Sequence, residues 1–244
     1  MSNNAELELV APPARLAEIR STSRTLLIAA VALGSLAALS LILFPPGVAA
    51  RASLTIAGVI LLVLSVLLIL RVLLIRRAAG RSHGPQGEVL AITPGGLILS
   101  GDIFIPYEEI TGVFAKDDTA VLLRKSSARV LGAGGRMLLR AGLSGIDIVV
   151  GVRDGAAIRQ AARTPAAAAR VHIYPGKAAG SVTIAFGATQ DTAALRAAMS
   201  LLAARLEPGA PVRVLTGAFD LALAVAAFSE PETVIQKTQS LPGS

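Results

Sequence analysis

The chain has 244 residues, of which 53% are hydrophobic and 16% charged, with a net charge of +7 and a mean hydropathy of +0.66. That apolar excess excludes a disordered charged regulator and points to membrane spans. The lack of Cys excludes disulfides, thiolate nucleophiles and Cys-ligated metal sites, and the lack of Trp with only 3% aromatics argues against a base-stacking nucleic-acid platform.

The charge is unevenly placed. Residues 1–81 hold 8 Arg and 3 Glu, net +5, whereas residues 82–244 hold 15 Lys and Arg against 13 Asp and Glu, net +2. Basic charge flanking apolar runs is a membrane-topology pattern, and no basic stripe dense enough for a phosphate backbone is present, so nucleic acid is excluded as a partner.

After an N-terminal tail over residues 1–24, Thr25–Phe44 is an uncharged run of 20 residues. As a helix it covers about 30 Å, the thickness of a bilayer core. Ala52–Ile75 is a second run, broken only by Arg71. Pro45, Pro46 and Gly47 between them cannot continue a helix, so residues 25–75 read as a transmembrane hairpin, spanning at 25–44 and 52–75. Arg20 and Arg24 precede the hairpin and Arg76, Arg77 and Arg81 follow it, whereas the turn carries Arg51 alone. The positive-inside rule then places both termini in the cytoplasm, with the lipid bilayer as the first partner. Arg71, near the inner interface, is expected to snorkel. Val48-Ala49-Ala50 offers a cleavage site, but the apolar core before it is longer than that of a signal peptide. Small residues on one face of each span (Ala30, Gly34 and Ala38; Gly58 and Ser65) are expected to pack the two spans together, with self-association as the alternative.

Beyond residue 82 the apolar runs shorten and alternate with turn residues. Glu88–Ile92 and Leu97–Ser100 flank a Thr-Pro-Gly-Gly turn and predict a β-hairpin, and Ile103–Ile105 adds a strand. Ile110–Ala115 and Thr119–Arg124 predict a second hairpin around Lys116-Asp117-Asp118, and Met137–Arg140 and Ile146–Val152 further strands. Asp154 predicts the cap of a short helix that stops at Thr164-Pro165. Val171–Tyr174 and Ser181–Phe186 return to strand character. Asp191–Leu206 carries Leu195, Ala198, Met199, Leu202 and Leu206 at helical spacing, flanked by Arg196 and Arg205. In the C-terminal extension, residues 208–244, Val212–Thr216 reads as a strand and Phe219–Phe228 as an apolar helix too short to span, expected to pack on the domain, with docking on a partner or the membrane surface as the alternative; residues 230–244 read as disordered. The fold class is thus a membrane-anchored α+β chain, its small antiparallel β domain at 82–207 covered by an amphipathic helix.

A search for chemistry returns little. His83 and His172 have no acidic residue or second His at ligand spacing, so neither metal nor cofactor is expected. The glycine cluster around Leu131–Arg136 lacks the Lys-Ser/Thr of a phosphate loop, and Ser126, Ser127 and Ser144 lack a nucleophile-elbow context. Glu108 and Glu109, adjacent on a strand end, are expected to face solvent and not to work as an acid/base pair. No catalytic residue emerges, and the chain reads as a non-enzyme.

The stretch from Leu90 through Thr93, Pro94, Gly95, Gly96 and Leu97, followed by Ile105, Pro106, Tyr107, Glu108, Glu109 and Ile110, resembles bacterial PH-like domains. Their motif pairs a Gly-Ile/Leu hairpin with an Ile-Pro-Trp-x-x-Ile strand, with Tyr107 here in place of Trp. The likeness is closest to small inner-membrane proteins with two N-terminal spans and one cytoplasmic PH-like domain. It implies architecture, carried by Gly96, Leu97, Ile105, Pro106, Tyr107 and Ile110. The first hairpin loop, Thr93–Gly96, lacks the basic residues with which phosphoinositide-binding PH domains contact inositol lipids.

The expected role is that of a scaffold or adaptor at the cytoplasmic face, binding a membrane or cytoplasmic protein through an exposed strand edge or the helix at Asp191–Leu206. The alternatives are an accessory subunit acting through its spans and, less in keeping with the residues, a membrane-surface enzyme.

Overall fold

The computed structural model describes residues 5–43, 49–81, 87–118, 146–185, 191–215 and 218–230, with positions 121, 124, 136, 137 and 140 between them. Two long helices come first: α1, Pro13–Leu43, and α2, Ala49–Arg81. Both are long and apolar enough to cross a membrane. They pack along each other through small groups. Ala30 and Ala37 of α1 and Ser65 and Val72 of α2 are buried, while the branched residues around them are exposed. A Cβ on Gly34 would lie 2.8 Å from the Ser65 hydroxyl oxygen, and one on Gly58 would lie 3.0 Å from Leu41 Cδ2. The Ser65 hydroxyl donates to the carbonyl of Ala30. Gly58, Ser65 and Val72 repeat every seven residues, the period of a left-handed helix pair.

The remaining elements form two sheets around one core. The first is antiparallel, in the order β1 (Leu7–Val10), β2 (Glu88–Thr93), β3 (Gly96–Leu99), β4 (Ile103–Pro106). The second uses β5 (Ile110–Asp117), β6 (Ile146–Val152), β7 (Val171–Ile173), β8 (Gly180–Ala185) and β9 (Val212–Leu215), in the order β7-β8-β6-β5-β9. Its pairs are antiparallel except β9, which runs parallel to β5. Four helices complete the fold: α3 (Gly155–Ala161), α4 (Pro165–Ala168), α5 (Thr192–Arg205) and α6 (Ala218–Ala227). Leu90, Ile92, Leu97, Ile105, Val113, Ile148, Val150 and Val182 meet between the sheets, closed by Leu195, Ala198, Met199 and Leu202 of α5. A second cluster, on the other face of β5 and β6, joins Phe114, Val149 and Leu215 to Ala224, Ala227 and Phe228.

Several expectations need correction. The tail at 1–24 contains a strand, and α1 starts at Pro13, twelve residues before the apolar run. The alternation in Leu7–Val10 is only four residues long, and its partner β2 lies some eighty residues downstream, so local periodicity could not reveal it. Within the stretches expected as strands over Thr119–Arg124 and Met137–Arg140, the described positions 121, 124, 137 and 140 are helical, so β5 pairs directly with β6 across a long insertion. Short apolar runs are where helix and strand are hardest to separate by periodicity. The domain does not end at 207: β9 extends the second sheet and α6 covers its outer face. Thr164 caps a second short helix, α4, with Pro165 as its first residue. The Pro45-Pro46-Gly47 turn, His83, residues 131–135, the three loop serines and residues 231–244 lie outside the described residues.

Candidate interaction site

The motif residues converge on one corner, where the first sheet passes into the second. Leu97, Ile105 and Ile110 are buried in the core. Gly96 pairs with Pro106, and a Cβ there would lie 2.4 Å from the Ile105 carbonyl oxygen, so only glycine permits β3 and β4 to approach this closely. Pro106 ends β4 and leads into a single 3₁₀ turn, Tyr107–Glu109. Tyr107 packs on the core, and its hydroxyl donates to the Thr93 carbonyl at 2.7 Å, tying the β2–β3 turn to the end of β4. Burial of the phenol pushes its pKa above the ordinary value; the charge of Arg205 opposes that rise and the charge of Glu6 adds to it.

The two glutamates of this corner part company. Glu108 is exposed, but Glu109 is half-buried and its carboxylate accepts the Asp154 N–H at 3.2 Å. The expectation that both face solvent is therefore corrected. The Glu109 carbonyl accepts the Arg153 N–H at 2.9 Å, and the Arg153 Nε–H reaches the Glu108 carbonyl at 2.9 Å. The pair thus links the end of β6 and the capped start of α3 to the corner.

Arg205 and Arg196 occupy different settings on α5. The Arg205 guanidinium pairs with the Glu6 carboxylate and fastens the entrance of β1 to the end of α5. Arg196 is exposed on the outer surface of the helix, away from Leu195, Ala198, Met199 and Leu202. Edge strands are β1 and β4 in the first sheet and β7 and β9 in the second. β4 presents Phe104, 46% exposed, on its outward face.

The membrane-flanking arginines fall at the hairpin's base. Arg20 and Arg24 are exposed on α1, and Arg76, Arg77 and Arg81 lie in the last turns of α2. The base of α1 also belongs to the domain. Ala11 and Ile19 are buried in the main core and Leu16 packs against it, while α2 touches β8. Glu18, between them, pairs with Arg15 and lies 3.8 Å from Arg140 of the long insertion.

Other ionic groups are structural. Asp102, in the β3–β4 turn, pairs with the largely buried Arg170 and accepts the Thr164 hydroxyl at 2.9 Å, joining the two sheets. Lys116 pairs with Asp147 at 2.9 Å and with Asp118 at 3.5 Å. Burial alone would lower its pKa, but the hydrogen bonds and charges of the two carboxylates outweigh burial and raise it. His172, exposed on edge strand β7, meets Tyr174 edge-on at 5.1 Å. Among the described residues no group of three or more His, Asp or Glu could hold a metal ion. No protein-family model, curated protein or solved structure matches the chain.

Proposed function

We propose that the chain is a non-enzymatic integral membrane protein that presents a PH-like domain at the cytoplasmic face as a scaffold or adaptor for a protein partner. The carrying observation is the junction at Ala11, Leu16 and Ile19. The first membrane helix begins in the core of the domain, so the domain is held in one orientation and not on a loose tether. Fixing a binding surface beside the membrane raises the effective concentration of a partner confined there. The PH-like reading is supported by the Gly96–Ile110 corner, the four-stranded antiparallel sheet facing a second sheet, and the single amphipathic helix α5 closing them. The parallel strand β9 is an addition to that plan. The inward orientation rests on the arginines at the hairpin base.

The exposed Phe104 of edge strand β4, and the outer face of α5 with Arg196, are the surfaces assigned to the partner. The hairpin's small residues are spent in joining α1 to α2, which favours an anchor over a subunit contact made through the spans.

The test is purification of the tagged full chain from its native membrane in mild detergent, with mass spectrometry of the bound proteins. The expected result is a stoichiometric partner that survives replacement of residues 25–75 by an unrelated hairpin and is lost on Phe104→Asp or Arg196→Glu, with membrane insertion unchanged. A partner lost on the hairpin replacement and indifferent to both point substitutions would establish the accessory-subunit reading instead. A chain that purifies alone would overturn the adaptor.

A further inference from the structure

The inner end of the hairpin carries charge that the chain does not compensate. Arg20 and Arg24 of α1 and Arg71 of α2 are exposed, and among the described residues none of the three pairs with a carboxylate. Glu18 is the one acidic residue in 13–81, and Arg15 and Arg140 take it. Arg20 and Arg24 are four residues apart on one helix face, where like charges repel unless an anion lies between them.

Helix packing fixes the depth of these groups. Gly58 lies against Leu41 and Ser65 against Gly34, so α1 and α2 run antiparallel. The Ser65 hydroxyl reaches the Ala30 carbonyl, and a Cβ on Gly34 would lie 2.8 Å from that hydroxyl, so Ser65 is level with the turn between Ala30 and Gly34. Six residues further along α2, Arg71 is level with about Leu26 of α1, roughly 3 Å along the axis from Arg24. Thr25, where the apolar run of α1 begins, lies between those two levels. Arg24 and Arg71 thus mark one plane, the inner edge of the hydrocarbon. They stand on opposite faces of the hairpin. Arg24 follows the buried seam residue Ser23, whereas Arg71 precedes the buried seam residue Val72, and in an antiparallel pair those two steps turn to opposite sides. Arg20, three residues before Ser23, falls on the side of Arg24.

At the hydrocarbon edge the anion within reach is the lipid phosphate, whose oxygens the guanidinium fork matches. We propose that the base of the hairpin binds anionic lipid: Arg20 and Arg24 share the phosphate of one lipid, and Arg71 takes that of a second on the opposite face. Two adjacent cations match a headgroup of net negative charge and repel the choline of a zwitterionic one. The site adjoins the domain, because Ile19, next to Arg20, is buried in the domain core. Bound lipid therefore fixes the height at which the domain stands beside the bilayer. This rests on the reading of α1 and α2 as membrane spans.

The test adds phosphatidylglycerol or phosphatidylcholine to the full chain in detergent and counts bound lipid by native mass spectrometry. Phosphatidylglycerol should bind the tighter. Each of Arg20→Gln, Arg24→Gln and Arg71→Gln should weaken it about fivefold, the effect of one cation near a lipid surface. Arg159→Gln, which removes an exposed cation of α3, should leave it unchanged. Equal affinity for the two lipids overturns the proposal. So does a preference that survives all three substitutions, or one lowered as much by Arg159→Gln. The comparison of lipids needs no substitution, so a variant that fails to fold leaves the outcome decided. Release of the chain from its membrane by alkaline carbonate would instead remove the spans on which the site depends.

Discussion

The hairpin and the domain are both rich in Leu, Ile and Val, yet they use them in opposite ways. In α1 and α2 the large side chains point outward, with Leu36 65% and Ile42 74% exposed, and the seam between the helices is Ala, Gly and Ser. In the domain Leu97, Leu99, Ile105 and Ile148 are turned in and are nearly or fully buried. With α1 and α2 read as membrane spans, the difference follows from the solvent. In water, hiding a branched side chain is the driving force of folding. Among lipid tails, which are as apolar as leucine, it gains nothing, and the helices hold through close approach and the Ser65–Ala30 hydrogen bond. Truncations should therefore be costly in the domain and cheap in the hairpin.

The largest effect is expected at Phe228. Its ring is fully buried, 5.0 Å from that of Phe114, in a socket made by two strand glycines. A Cβ on Gly151 would lie 2.2 Å from Phe228 Cδ1, and one on Gly112 would lie 3.1 Å from Phe228 Cε1. Phe228→Ala should cost the domain about 4 kcal/mol, the transfer of the ring plus the cavity left behind. Hydrogen exchange in nanodiscs should show β5, β6 and α6 losing protection while α1 and α2 keep theirs. Equal loss in both regions would show that the hairpin depends on the domain for its own stability.

Asp102 comes next. It closes a contact between the first sheet, Arg170 ahead of β7, and Thr164 at the cap of α4. Removing the carboxylate takes this ion pair from a largely buried guanidinium. Asp102→Ala should cost about 3 kcal/mol, the low end for a buried pair because Asp102 keeps some contact with water. Asp102→Asn should recover part of that by retaining the acceptor for Thr164. Thermal unfolding of the two variants checks the order.

These two sites also show what the sequence could disclose. The two long apolar helices, the β2–β3 hairpin and α5 were legible because each is decided locally: an uncharged run of bilayer length, a Pro-Gly turn between apolar runs, a stripe at helical spacing. What escaped depends on partners far along the chain. β1 is recognisable only through β2, and β9 only through β5. The Phe228 socket left a usable sign, since glycine inside a strand often marks the close approach of another group, and both Gly112 and Gly151 stand in apolar runs. The Asp102–Arg170 pair left none, since nothing local distinguishes it from surface charge.

A third separation can be made with pH, because the chain has two tyrosines and no tryptophan, and neither tyrosine is in the hairpin. Burial raises the pKa of Tyr107, and burial likewise raises that of Tyr174 against the opposing effect of its hydrogen bond with Ser181. Lys116 is raised as well, its carboxylate partners outweighing burial. A folded pKa above the unfolded value gives stability that is present below the unfolded value and lost as pH rises through the folded one. The ordinary values are 10.0 for Tyr and 10.5 for Lys, so the domain should begin to lose stability above about pH 10. The Tyr174 hydroxyl donates to the Val225 carbonyl of α6 at 2.6 Å, and a phenolate cannot make that bond. Tyrosinate absorbance should accordingly rise later than in unfolded chain, with the domain's circular dichroism falling in step. Absorbance rising at the ordinary value with no unfolding would show that the phenols are open to water.

The smallest effect is expected in the seam itself. Ser65→Ala removes a hydroxyl that α2 donates to the α1 backbone, at Ala30. In lipid such bonds are worth about 0.6 kcal/mol on average, because the separated helices find other partners for the same groups. The alanine is also small enough to keep the close approach opposite Gly34, where a Cβ would already lie 2.8 Å from the Ser65 oxygen. The variant should therefore be almost as stable as the parent chain in a denaturant titration, whereas Gly34→Leu, which drives a large side chain into Ser65 and forces the helices apart, should cost more. If Ser65→Ala proves the costlier of the two, the hairpin is held by its hydrogen bond, and the contrast with the domain lies in polarity and not in the size of the groups at the seam.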